Sequence, residues 1–288
     1  MARIHRCHAA LAAAIIGLMT SPVNAVDLQG HRGARGLLPE NTLAAFQWAL
    51  ERGVDTLEMD CGVTKDGVVV VHHDRRLNPD LARGPDGQWV APSGPTLRSL
   101  TFAELQRYDV GRLRPGSEYQ KRFPHQKPMD GARIPRLSEV LTLNAKFNIE
   151  TKISPDAPEE TVGPEEFARL VIKEIRKAKA NATIQSFDFR TLKVVEQEAP
   201  EIETVYLTNG AGSDPQKVRL AGAKIWSPNF EDLTQAKLEA ARALKLKVVV
   251  WTVSEPTDIV RMLDMRLDGI ISDYPDRVLA EMKRRRVR

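Results

Sequence analysis

Cysteine is nearly absent from this sequence. Only Cys7 and Cys61 occur in 288 residues. Cys7 falls in a segment with the marks of a secretory signal, so the processed chain keeps Cys61 alone and forms no internal disulfide. Neither a Cys cluster nor a His-x-x-x-His spacing is present, which argues against zinc. No basic stripe with interleaved aromatics occurs, which excludes nucleic acid as the expected partner. No Gly-rich phosphate loop of the dinucleotide type follows the first expected strand. Beyond the N-terminus no apolar run is long enough to cross a bilayer.

The N-terminus has its own pattern. Arg3 and Arg6 precede an apolar run from Ala9 to Met19, and Val23-Asn24-Ala25 offers small residues for cleavage. The run is far short of the roughly 20 residues that span a bilayer. It reads as a signal peptide over 1–25, cut after Ala25, which implies export to a periplasm or beyond the cell. The formal charge of +4 is correspondingly misleading. Without Arg3, Arg6 and the five cations of the C-terminal run (Lys283, Arg284, Arg285, Arg286 and Arg288), the body carries −3. The run over 283–288 reads as a solvated basic tail rather than a binding patch.

Short β-like runs alternate with helical patterns through most of the chain. Strands are expected over 26–30, 54–63, 68–73, 147–152, 183–187, 203–207, 223–226, 247–253 and 268–272. Helices are expected over 41–51, 164–179, 233–244 and 256–263, with others opening near Asp188 and Pro275. Repeated βα units imply a parallel sheet. About eight units over about 260 residues fit a closed (β/α)8 TIM barrel spanning 26–282 better than an open doubly wound sheet. Residues 75–136 break the rhythm with Pro79, Gly84, Pro85, Gly87, Pro92, Gly94, Pro95 and more, around one capping box, Thr101 with Glu104. An interval of this length is too long for a plain loop. It reads as a subdomain inserted between strand two and strand three.

Polar residues gather where expected strands end, the face on which barrel enzymes build their sites. His31 and Arg32 end the first strand. Glu58 and Asp60 lie in the second, His73 and Asp74 close the next run, and Glu150 and Lys152 end the third. Trp251 lies late in the penultimate strand. Residues two apart in a strand share a face, so Glu58 pairs with Asp60 and Glu150 with Lys152. Three carboxylates in one mouth repel unless a positive charge sits among them. A hard divalent cation with oxygen ligands, Ca2+ or Mg2+, is one answer. A structural ion-pair network with Lys152 and Arg32 is the other, and spacing does not decide between them. Two histidines on separate strand ends suit proton donation and acceptance. Arg32 offers a planar fork for a phosphate and Lys152 a second cation.

Taken together these segments resemble the glycerophosphodiester phosphodiesterases. The resemblance rests on His31-Arg32-Gly33, Pro39-Glu40-Asn41-Thr42, "GVDTLEMDCGVTKDGVVVVHHD" from Gly53 to Asp74, "IPRLSEVL", "NIETK", "QSF", "WTV" at Trp251 and "DGIISDYP" from Asp268. These occur in order over nearly all of the processed chain. The resemblance implies a TIM barrel with an insertion, and a divalent metal on Glu58, Asp60 and Glu150. It implies acid/base histidines at His31 and His73, the His-Asp pair selecting His73 over His72. It further implies phosphate contacts from Arg32 and Lys152, and a supporting Glu40 near the metal and the first histidine. Trp251 is either a wall of the pocket or barrel core. Ser254 departs from the Asn that many members carry after "WTV".

The implied activity is hydrolysis of a small glycerophosphodiester to sn-glycerol 3-phosphate and an alcohol. Three rivals stand beside it. A lysophospholipase D or phospholipase C-like enzyme would act on a larger lipid, with Phe102, Tyr108, Tyr119 and Phe123 of the insertion as candidate contacts. Contact with a membrane is then allowed but not required. A non-catalytic phosphodiester-binding protein leaves the paired histidines without a purpose. A two-carboxylate glycosidase leaves both the histidines and Arg32 without one.

Overall fold

The computed structural model describes residues 26–288. The expected signal segment, 1–25, lies outside the described residues. In chain order the elements are β1 (Asp27–Gly30), α1 (Leu43–Glu51), β2 (Thr56–Val63), β3 (Val69–Val71), α2 (Phe102–Leu105), α3 (Glu118–Arg122), α4 (Leu137–Val140) and β4 (Lys146–Thr151). There follow α5 (Pro164–Ala178), β5 (Asn181–Ser186), α6 (Phe189–Glu198), β6 (Thr204–Thr208), α7 (Pro215–Leu220) and β7 (Ile225–Pro228). The chain ends with α8 (Gln235–Ala243), β8 (Lys247–Val250), α9 (Pro256–Asp264), β9 (Gly269–Ser272) and α10 (Pro275–Arg284).

The strands close on themselves. The pairing order runs β1-β9-β8-β7-β6-β5-β4-β2, and β1 also pairs with β2. All eight ring pairings are parallel, so the architecture is a (β/α)8 barrel. β3 is outside the ring. It returns antiparallel along β2, with Cys61 opposite Val71, after the tight turn at Gly67. That turn makes a hairpin, not a crossover, so the strand adds no βα unit.

Strand alternation divides the interior into two layers. Leu57, Met59 and Cys61 of β2 face outward into the large core between sheet and helices, where Leu28, Phe46, Phe147 and Ile149 also pack. α5 supplies Phe167, Ala168, Val171, Ile172 and Ile175, spaced so that one stripe faces that core. Burying each of the larger of these side chains contributes roughly 1.5–3 kcal/mol. Inside the barrel, Val205, Ile225, Val249 and Ile271 form a small apolar cluster from β6 to β9. The other half of the barrel interior, from β1, β2, β4 and β5, is polar: Gln29, Glu58, Asn148 and Gln185 are all buried.

Residues 75–136 carry little regular structure but two small cores of their own. Leu77, Leu97, Leu105, Val110 and Ile134 pack with Val70 of β3, and Phe102 and Tyr108 lie against them. Leu81, Leu113 and Phe123 pack with Tyr274 at the mouth of α10, and Tyr119 joins them. The expected Thr101–Glu104 capping box opens α2. The C-terminal run is not wholly free: Arg288 Nη1 lies 2.9 Å from Asp55 Oδ2, and Arg285 Nη1 2.6 Å from Asp264 Oδ1. Among the described residues no helix is long and apolar enough to cross a membrane.

Candidate active site

The His-Arg-Gly after β1 is a turn built on unusual backbone. Arg32 has φ of 50° and Gly33 of 87°. A Cβ on Gly33 would stand 2.8 Å from the backbone carbon of Ala45, so only glycine lets the turn lie against α1. For Arg32 the left-handed conformation costs about 1–2 kcal/mol. It turns the Arg32 N–H onto Glu58 Oε2 at 3.0 Å. Asn41, also left-handed at φ of 55°, donates from Nδ2 to Asp60 Oδ2 at 2.9 Å. Thr42 then caps α1, its hydroxyl accepting from the Ala45 N–H. The first strand-to-helix connection thus fastens two carboxylates of β2.

Parallel register does the rest. Asp60 lies opposite Glu150, and Glu150 opposite Gln185. Ligand oxygens of Glu58, Asp60 and Glu150 all lie within 4.8 Å of one another. Two cations sit among them. Arg32 Nε is 2.9 Å from Asp60 Oδ2, though poorly aligned for a hydrogen bond, and Lys152 Nζ is 2.8 Å from Glu150 Oε1. Both arrangements open to sequence reasoning are therefore present in part: the ion pairs form, and the three acids also converge.

The cations do not compensate all three acids equally. Burial pushes the Asp60 carboxyl up, but Arg32 and Lys152 hold it well below its ordinary range. Burial raises Glu58 well above its range, and Asp60 and Glu150 raise it further. Burial also raises Glu150, with Lys152 opposing and Asp60 reinforcing. Asp60 Oδ1 is buried without a hydrogen bond, with Lys152 Nζ 3.4 Å away. An all-oxygen set with surplus negative charge and an unpartnered oxygen fits a hard divalent cation.

Both histidines are oriented by carboxylates. His31 Nδ1 is 2.6 Å from Asp273 Oδ1. Arg35 grips Asp273 with Nε and Nη2, each at 2.9 Å. Although burial works against it, Arg35 and His31 hold Asp273 deeply ionised, so His31 Nδ1 must be the donor and Nε2 is left unprotonated. Burial, then Arg35, lower the His31 pKa from 6.5 to about 4. His73 Nδ1 makes a 2.6 Å contact with Asp74 Oδ1, and its ring is partly exposed. His72 is buried and does not line the cavity.

A cavity of about 570 Å3 joins these groups. His31, Arg32, Glu58, His73, Glu150, Lys152 and Trp251 all line it. Trp251 stands one residue beyond β8, not within it, and is half-buried. Its ring meets Phe187 edge-on, 5.4 Å between centroids. Glu40 is set behind the wall, where it accepts from Arg32 Nη1 at 2.8 Å and from the Tyr119 hydroxyl. Four further residues complete the site: Asp273, Arg35, Tyr119 and Gln185. Asp273 and Gln185 lie inside "DGIISDYP" and "QSF", but nothing in those strings names their partners.

Imidazoles and cations beside clustered carboxylates, at the C-terminal mouth of a barrel, suit an enzyme of phosphate esters. Comparison with known proteins narrows that class. The profile of the Glycerophosphoryl diester phosphodiesterase family matches residues 31–277, and the chain belongs to this family. It is accordingly a phosphoric diester hydrolase. A glycerophosphodiester phosphodiesterase of Bacillus subtilis (strain 168) is 30% identical over 284 residues, covering 92% of this chain and 89% of that protein. A crystal structure from Silicibacter pomeroyi DSS-3, assigned to the same family, superposes with a TM-score of 0.85 at 35% identity, covering 91% and 95% of the two chains. The fold is shared with an Oleispira antarctica phosphodiesterase solved with its product sn-glycerol-3-phosphate: TM-score 0.71, 21% identity, covering 89% and 96%.

Proposed function

We propose that the enzyme hydrolyses glycerophosphodiesters, such as glycerophosphocholine or glycerophosphoethanolamine, to sn-glycerol 3-phosphate and an alcohol. The observation that carries the reading is convergence. Glu58, Asp60 and Glu150 meet within 4.8 Å, and Glu58 and Glu150 share a cavity with His31 and His73. Those three acids would hold Ca2+ or Mg2+. When bound, such an ion neutralises phosphoryl charge and polarises the attacking oxygen.

The chain's own groups supply the remaining steps. Arg32 and Lys152 place fixed positive charge where charge develops on the phosphoryl oxygens. His31, neutral with its Nδ1–H on Asp273, offers Nε2 to take the proton of the attacking hydroxyl. That hydroxyl belongs to water or to the glycerol C2 next to the phosphate-bearing carbon; the latter gives a cyclic phosphate, which a water then opens, His73 taking the water's proton and His31 returning one to the C2 oxygen. His73, its ring held by the Asp74 carboxylate, gives a proton to the departing alkoxide. Glu40 and Tyr119 brace Arg32, and Trp251 walls the pocket.

Product analysis tests the reading. Glycerophosphocholine should yield sn-glycerol 3-phosphate and choline. Release of glycerol and phosphocholine instead would contradict it. Phe187, 41% exposed and lining the cavity, favours a second reading in which a lysophospholipid is the substrate. Parallel assays on glycerophosphocholine and lysophosphatidylcholine separate the two. Export is proposed from residues 1–25, and a mature N-terminus at Val26 in envelope or medium fractions is the result expected.

A further inference from the structure

The barrel interior carries a hydrogen-bonded chain that the reaction chemistry does not use. Gln29 Nε2 donates to Asp27 Oδ2 at 2.8 Å. Asn148 Nδ2 donates to Gln29 Oε1 and to Gln185 Oε1, each at 2.9 Å. Gln185 Nε2 donates to Glu58 Oε1 at 2.7 Å. Thr183 Oγ1 donates to Asn148 Oδ1 at 2.9 Å. Gln29, Asn148 and Gln185 are all buried. The chain joins two cavities: Gln185 and Glu58 line the catalytic one, while Asp27, Gln29 and Asn148 line another of about 380 Å3 at the opposite mouth.

The polarity of this chain is forced. Asp27 stands at one end and Glu58, ionised when it holds a cation, at the other, and a carboxylate only accepts. Each glutamine must therefore turn its NH2 outward, toward Asp27 or Glu58. Both amide oxygens then point inward at one another. Only a group with two hydrogens can lie between them, and the Asn148 NH2 supplies both. Its own oxygen accepts from Thr183, but a hydroxyl could equally accept, so it is the two glutamine oxygens that fix the amide. Aspartate at 148 would set acceptor against acceptor, and an apolar residue would orphan two buried carbonyls.

We propose that Asn148 is a positioning residue: through Gln185 it fixes the Glu58 carboxylate in the orientation that admits a divalent cation beside Asp60 and Glu150. Glu58 then has a donor on each oxygen, Gln185 on Oε1 and the Arg32 N–H on Oε2. A Glu58 oxygen so held lies within 4.8 Å of ligand oxygens of Asp60 and Glu150. Outer partners of this kind typically shift metal affinity 10–100-fold. The proposal rests on the cation reading given above.

The test is calorimetric titration of EDTA-treated full-length protein with CaCl2 or MgCl2, with crystal structures of the metal-free variants beside it. Asn148→Asp should weaken cation binding about tenfold or more, and Glu58 should lose its contact with Gln185. Thr183→Val, which leaves both Asn148 donations in place, should bind within about threefold of wild type. Should Asn148→Asp not fold, Gln185→Met removes the same donor from Glu58 and should give the same loss. Wild-type affinity in these variants, with Glu58 unmoved, overturns the proposal. A wild-type protein that binds neither cation contradicts the cation reading instead, while the Glu58 position in the variant crystals still decides whether Asn148 orients it.

Discussion

His31 and Asp273 are 242 residues apart in sequence and 2.6 Å apart in space. The contact is possible because β1 and β9 are neighbours in the closed ring, with Gly30 opposite Ser272. Closure of the barrel therefore creates the pair. The expected consequence is that Asp273→Asn lowers turnover by about 10²–10⁴, the range for losing an oriented acid–base group. Circular dichroism should remain native. Turnover within twofold of wild type would contradict the role.

The two imidazoles should separate by leaving group. His73→Asn keeps a donor for Asp74 but removes the group proposed to protonate the alkoxide. Its loss should be large on a choline ester and small on a p-nitrophenyl phosphodiester, whose leaving group needs no proton. His31→Asn should be equally impaired on both. Reversal of this pattern in steady-state assays would exchange the two assignments.

His31 also links stability to pH. Its folded pKa of about 4 lies below its ordinary 6.5, so between those values the unfolded chain binds the extra proton. Stability from this group is complete above 6.5 and is lost as pH falls toward 4, by about 3 kcal/mol in all. Glu58, raised by burial, acts with the opposite sign, so the readable quantity is a difference. In chelator-treated protein, denaturant midpoints of wild type should fall more steeply than those of His31→Asn over this window. Parallel curves would refute the linkage.

Gly33→Ala should both destabilise and inactivate. Its φ of 87° and the 2.8 Å approach to Ala45 leave no room for a methyl group. A cost of about 1–3 kcal/mol is expected in urea unfolding. Turnover should fall with it, because the same turn aims the Arg32 N–H at Glu58.

What the sequence discloses and what it hides follow from range. Alternation in "TLEMDCGV" places Glu58 and Asp60 on one face and Cys61 on the other, and the structure agrees, since period two is a local property of a strand. The hairpin at Lys65–Gly67 is local as well. The partners of His31, Arg35 and Glu40 are not, because each depends on which strands become neighbours or on where the insertion folds back. Tyr119 reads as an insertion aromatic, yet its hydroxyl touches Glu40 from 79 residues away. Trp251 illustrates an edge effect: the apolar run continues to Val253, but β8 ends at Val250 and beyond it only an isolated bridge, Trp251 with Asn229, carries the pairing on. The polar half of the barrel was equally hidden, since Gln29, Asn148 and Gln185 look like unremarkable strand residues until the ring closes around them.

Chelation and reconstitution test the central claim most directly. Protein treated with EDTA and freed of it should lose turnover on glycerophosphocholine and regain it with about one equivalent of Ca2+ or Mg2+ per chain, as a single three-carboxylate site requires. Glu150→Gln should not regain it at that concentration. Undiminished turnover in rigorously metal-free protein would contradict the account.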